Sequence, residues 1–137
     1  MLNKPIPIIL DTDIGTDVDD VWALVFLLCC PELDLKLVTT STGDTEYRAR
    51  IAAKVLSAMG REEIPIGIGL HLDDCPKTHD KWLGTYSLND YGGEIITDGV
   101  GAICDQVLSS SETPTILGIG PLPNVSAALS RSPSIAN

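Results

Sequence analysis

Ile8-Ile-Leu-Asp11-Thr-Asp13-Ile-Gly15-Thr-Asp17-Val-Asp19-Asp20 is the stretch on which the reading of this chain turns. The apolar run Ile6 to Leu10 has the composition of a buried strand. A loop from Asp11 to Thr16 follows it, and Thr16 or Asp17 is placed to cap a helix starting near Val18. Pro31 ends that helix after Cys30. The helix is apolar nearly all round, so it is expected to be largely buried. Five carboxylates fall within the ten residues Asp11 to Asp20. Crowded at a strand end, they repel one another unless a cation or a helix N-terminus compensates. Oxygen donors without sulfur or imidazole suit Ca2+ or Mg2+.

Farther along, strands are expected over 35–40, 64–68 and 115–119, and helices over 45–59, 98–109 and 121–130. In the second helix Ile51, Val55 and Met59 share a face, Glu46, Arg48, Arg50 and Lys54 take the outer one, and Gly60 stands at a left-handed C-terminal cap. Ile103, Val107 and Leu108 are expected to point inward from the next helix. Leu122, Val125 and Leu129 form a stripe on the last. The segment 70–97 has no clear period, and a connection of that length is usually functional or mobile. Strand–helix alternation predicts a Rossmann-like α/β fold, a mainly parallel sheet with helices on both faces, as a single domain over 1–137. Ligands in such sheets bind beyond the C-terminal strand ends. The residues expected there are Asp11 to Asp20, Thr42 to Asp44, the loop after Ile68, and Gly118 to Leu122.

Composition narrows the function. Hydrophobic residues make up 44% and charged residues 20% of the 137 residues, a globular balance. A net charge of −10 argues against nucleic acid as a partner. With four cysteines, no C-x-x-C pair and two histidines, a zinc site is not expected. Cys29 and Cys30 read as buried thiols of a reducing compartment. The N-terminus lacks a signal-peptide pattern, and the longest apolar run, Val21 to Cys30, is too short to span a bilayer. A cytoplasmic protein without a membrane partner is the expectation.

Three alternatives for the aspartate segment are tested by spacing. An EF-hand beginning at Asp11 needs Gly at position six and Glu at twelve, where Thr16 and Trp22 stand. No G-x-x-x-x-G-K-[ST] phosphate loop occurs. The third is a haloacid-dehalogenase-like, Mg2+-dependent phosphatase with Asp11 as nucleophile. It matches D-x-D but finds Gly15 in the Thr/Val place.

Ile8 to Gly15 followed by Asp19-Asp20 resembles the signature of inosine-uridine-type nucleoside hydrolases. Leu37-Val-Thr-Thr-Ser-Thr-Gly-Asp44, Ile64-Pro-Ile-Gly-Ile-Gly69 and Ile116-Leu-Gly-Ile-Gly-Pro-Leu-Pro-Asn124 resemble further family segments in the same order. The resemblance implies calcium-dependent cleavage of the N-glycosidic bond of ribonucleosides. By position, it implies that Asp13 binds calcium and activates water. Asp20 and the Ile119 carbonyl are further calcium ligands, Asp19 holds a ribose hydroxyl, and Asp44 contacts the sugar. The family has two fewer residues between Gly15 and Asp19; Asp17 itself reads as a helix cap, because acidic residues are favoured in a first turn. A further ligand aspartate and an acid-side histidine belong to the family's C-terminal half, and no residue here matches them. The chain therefore reads as the N-terminal part of such a domain, with a non-catalytic metal- or ribose-binding fragment as the rival and association into a homo-oligomer open. His79 reads as an ordinary exposed residue. Trp82 and Tyr86 either stack on a nucleobase or close the loop over the core. His71 and Asp73-Asp74 join no constellation.

Overall fold

The computed structural model describes residues 4–136. Strand β1 (Ile6–Thr12) is followed by α1 (Asp19–Cys29), β2 (Leu33–Thr40), α2 (Thr45–Ala58) and β3 (Ile66–Ile68). Then come a short α3 (Asp80–Leu83), β4 (Ile95–Ile96), α4 (Gly99–Ser109), β5 (Thr115–Gly118) and α5 (Pro123–Arg131). The strands form one parallel sheet in the order β4-β3-β2-β1-β5. The α/β expectation holds. The sequence pattern missed β4, whose two residues are too few to carry a period.

Strand β1 distributes its side chains by alternation. Ile8 and Leu10 join the core under α1 and α2, while Ile9 joins the core under α4 and α5. The β1–β2 register shifts between Ile8 and Ile9, so that Ile8 pairs with Leu35 and Ile9 with Leu37. Lys36 is thus the extra residue of a bulge. The bulge lets Leu35 and Leu37 serve opposite cores, although both are odd-numbered.

Several expected faces are corrected. Helix α1 buries only Asp20, Leu24 and Leu27, whereas Trp22 and Phe26 are each 69% exposed and Val18 is 57% exposed. One stripe of the helix meets the sheet, at about 1.5–3 kcal/mol per fully buried Leu, and no described residue covers the other. Cys29 is accordingly exposed and Cys30 half-buried. Leu108 also faces outward. So do Leu122 and Leu129, because α5 docks through Asn124 and Ala128 instead. Gly60 does take the left-handed conformation, with φ 66°. No helix among the described residues is long and apolar enough to cross a membrane.

Helix α4 approaches β3 across glycines. A Cβ added to Gly67 would lie 2.9 Å from the Gly99 Cα. Gly67→Ala is therefore expected to lower the unfolding free energy by about 1–3 kcal/mol through overpacking, as read from urea midpoints at unchanged m-value. A stability equal to that of the parent protein would contradict this packing.

Candidate active site

The C-terminal ends of β1, β2, β3 and β5 converge through backbone bonds. Ser41 N donates to Thr12 O at 2.9 Å, Gly69 N to Thr40 O at 3.0 Å, and Ile119 N to Asp11 O at 2.9 Å. All four expected segments therefore meet at one end of the sheet. Gly15 makes the turn between the carboxylate groups at φ 108°, where a Cβ would lie 2.9 Å from the Tyr47 ring. Only glycine fits there.

Alternation along β1 also divides the acidic residues. Asp11 points toward α5, fully buried, and its Oδ1 accepts from Thr39 Oγ1 at 2.7 Å and Asn124 Nδ2 at 2.8 Å. Its Oδ2 is buried without a partner among the described residues. Burial raises the Asp11 pKa, against the lowering effect of its two donors. An Asp11 shut beneath the surface is not placed to attack a phosphoester, which removes the geometric basis of the phosphatase alternative. Thr12 points to the other face and donates to Asp20 Oδ1 at 2.5 Å. Asp20, in the first turn of α1, is buried, and its pKa is raised first by burial and then by repulsion from Asp13 and Asp19.

Asp13 lies just beyond the strand, half-buried. The turn after β5 runs against it: a Cβ on Gly120 would sit 2.6 Å from Asp13 Oδ1. The structure thus brings Asp13, Asp20 and the backbone around Ile119 into one neighbourhood. Asp19 is exposed at the same helix start, and Asp17 is exposed as well. The expected Asp17 or Thr16 cap is corrected, because Val18 holds the N-cap position without a side-chain bond and Thr16 is engaged elsewhere. Asp44 caps α2, accepting from Tyr47 N at 2.9 Å, and its second oxygen takes Lys77 Nζ at 2.5 Å. The Lys77 bond, foremost, holds its carboxyl below the usual range.

Two residues, Arg48 and Tyr47, escaped the sequence reading, and Asn124 entered it only as part of a matched string. Arg48, expected on the outer face of α2, is 1% exposed. It sits in the first turn of its helix, beneath the aspartate loop rather than toward solvent. Its Nε donates to Thr42 O at 2.7 Å, and Nη1 donates to Ile14 O at 2.8 Å and to Asp13 O. Asn124 is fully buried and ties Asp11 to Thr40 O and, as acceptor, to Leu70 N. Tyr47 donates from Oη to Gly15 O at 3.2 Å and accepts from His79 N at 2.9 Å. Thr78 Oγ1 adds bonds to Gly15 O and Thr16 O. These bonds fasten the segment after β3 over the aspartate loop. The matched G-P-L-P-N string had flagged Asn124, but nothing in helical spacing marks Arg48 or Tyr47 as more than a helix face.

That segment forms one side of an open apolar pocket of about 170 Å3 lined by Val18, Val21, His79 and Trp82. His79 is therefore half-covered rather than freely exposed. The two aromatics separate: Tyr86 packs on the core and bonds Ser57 Oγ at 2.7 Å, whereas Trp82 faces the pocket with Lys54 Nζ 4.6 Å from its ring centroid.

The donors at this strand end are carboxylate, hydroxyl and carbonyl oxygens, the chemistry that a hard divalent cation takes. The buried, unpartnered Asp11 Oδ2 and the crowding of Asp20 by Asp13 fit a nearby positive charge. Among the described residues, however, no three Asp, Glu, His or Cys side chains gather as a complete ligand cluster.

A parallel sheet bears an aspartate-rich strand end opposite a Gly-Pro helix start, an α/β arrangement that gathers oxygen donors beyond its C-terminal strand ends. The family model described as inosine-uridine preferring nucleoside hydrolase matches residues 8–137, and the chain belongs to that family. A non-specific ribonucleoside hydrolase of Klebsiella pneumoniae is 31% identical over 138 aligned positions, covering 93% of this chain and 44% of the relative. The Shigella sonnei counterpart is 32% identical with the same coverage. A plant nucleoside hydrolase structure superimposes with a TM-score of 0.76 at 28% identity, covering 96% of this chain and 45% of that one. An inosine-guanosine nucleoside hydrolase at 19% identity shares the fold, with a TM-score of 0.73. The chain thus spans less than half the length of the relatives it matches.

The pH dependence of stability follows from the directions above. Burial holds the folded pKa values of Asp11 and Asp20 above the ordinary carboxylate value of 3.8, so the folded state holds the extra protons. Their contribution falls as pH rises from that value through the raised folded values. Asp44 and Asp98 act oppositely, losing stabilisation as pH falls below 3.8 through their lowered values. Asp20→Asn is therefore expected to gain stability at pH 7 relative to pH 4 when compared with the parent protein, in urea titrations with a chelator present. An identical pH difference in the two proteins would contradict the burial of the Asp20 charge.

Proposed function

We propose that this chain supplies the ribose- and metal-binding side of a calcium-dependent ribonucleoside hydrolase, which splits the N-glycosidic bond to free base and ribose. The observation that carries the reading is the meeting of Asp13, Asp20 and the Ile119 turn at the end of β1, in a chain of this family. Asp13, Asp20 and the Ile119 carbonyl would hold Ca2+. When bound, the ion would acidify a water and orient the ribose hydroxyls.

Each residue has a physical task. Water adds to the anomeric carbon as the carbon–nitrogen bond breaks, and the bonding pair leaves with the base. Asp13 takes the proton released by the water. Positive charge grows on the ribose ring as the bond lengthens, as in glycoside hydrolysis. Asp13 and Asp20 stabilise that charge electrostatically. Asp19, exposed at the helix start, accepts from a ribose hydroxyl. Asp44 would reach the sugar by exchanging its Lys77 partner. The Trp82 pocket is of the right chemistry to stack on the flat face of a base. No residue described here is assigned to protonate that base.

Incubation with inosine or uridine and Ca2+ is expected to release free base and reducing sugar in equal amounts. Asp13→Asn should lower kcat by at least about 100-fold, with KM nearly unchanged. Calcium binding without base release from any ribonucleoside would overturn the catalytic reading in favour of a binding fragment.

A further inference from the structure

We propose that Arg48 is a positioning residue, the built-in countercation that holds the aspartate loop in its working shape before any divalent ion binds. The kinetic part of this proposal rests on the hydrolase reading; the conformational part does not.

Arg48 joins two loops that carry the candidate site. Besides the Asp13, Ile14 and Thr42 carbonyls, its Nη1 and Nη2 reach Thr16 Oγ1 at 3.2 and 3.1 Å. These acceptors are carbonyl and hydroxyl oxygens, and Arg48 forms no ion pair with a carboxylate among the described residues. The guanidinium charge is therefore not spent on a close partner. It lies directly beneath the loop that carries Asp13 and Asp17, where a positive charge opposes the crowding of carboxylates. In a segment with five carboxylates, a fixed buried cation offsets repulsion that would otherwise splay the loop.

The geometry of the grip explains why an arginine stands here. A planar fork can satisfy several carbonyls in fixed directions, which a lysine ammonium cannot. Two of those carbonyls belong to Asp13 and Ile14, so the grip sets the backbone from which the Asp13 carboxylate projects. A third belongs to Thr42, whose φ of 60° is unusual for a β-branched residue. Such a conformation persists only where the surroundings over-determine it. Arg48 Nε on the carbonyl and Leu70 O on the amide provide that restraint. One side chain thus couples the turn after β1 to the turn after β2, with the residues proposed for water activation on one and sugar contact on the other. Positioning of this kind acts on the turnover step, because small displacements of a catalytic group cost rate rather than affinity.

The test compares Arg48→Met and Arg48→Lys with the parent protein. With a chelator present, amide hydrogen exchange of residues 13–16 and 42–44 is expected to quicken at least about tenfold in Arg48→Met, while the amides of β1 and β2 keep their protection. Unchanged loop exchange, or equal acceleration throughout the sheet, would overturn the proposal. With inosine and Ca2+, kcat is expected to fall about 10- to 100-fold at nearly constant KM, with Arg48→Lys recovering only part of it. An unchanged kcat, or a loss confined to KM, would overturn it. Should the parent protein hydrolyse no ribonucleoside, the hydrolase reading fails and the exchange comparison still decides the role of Arg48. Should Arg48→Met not fold, Arg48→Lys carries the exchange test, and parent-like loop protection there would overturn the need for a planar fork.

Discussion

Charge crowding at the end of β1 is the constraint around which the rest of this structure is arranged. Asp11 and Asp20 are buried on either side of Asp13 at the end of a parallel sheet, and burial, with the neighbouring Asp13 charge, raises the pKa of both. The fold meets the problem in layers. Strand alternation sends Asp11 to one face, where Thr39 and Asn124 donate to it. The opposite face gives Asp20 the Thr12 hydroxyl. Arg48 then places a buried positive charge beneath the loop itself. What these devices leave uncompensated, above all the unpartnered Asp11 Oδ2, is suited to an added cation.

The same arrangement links architecture to chemistry. Residues that stabilise a developing positive charge on a sugar ring are those most costly to hold together without substrate or metal. Rigid strands, a tight glycine turn and the Tyr47–Thr78 fastening bear that cost, so that Asp13 and Asp19 can remain available at the surface. Trp22 and Phe26 on α1 and Leu122 and Leu129 near β5 remain exposed among the described residues.

Much of the fold was legible in the sequence, because strand composition, Pro31, Gly60 and helical spacing are local signals. Element ends were off by a few residues, as with β1 running on to Thr12 and β3 starting at Ile66. The errors lie where meaning depends on a distant neighbour. An apolar helix pattern identifies a face to be covered but not what covers it, so α1 was read as buried. Charged Arg48 in a helix reads as solvated unless the loop above it is known. Of the candidate site, the motif groups Asp13, Asp20 and the Ile119 turn, and the structure brings them into one neighbourhood, Asp13 and Ile119 just beyond strand ends and Asp20 in the first turn of α1. Asp17 was misread as a cap, because nothing local tells which of several residues at a helix start will bond the backbone. Trp82 and Tyr86 were separable only once the loop was folded, one facing a pocket and the other the core.

The central claim is that Asp13 and Asp20 together create a cation site at the end of β1. Isothermal titration calorimetry of Ca2+ against the protein tests it most directly, with Asp20→Asn as the comparison. The account predicts a single saturable binding event in the parent protein that disappears in Asp20→Asn. Binding of equal strength in both proteins, or none in the parent protein, would contradict it.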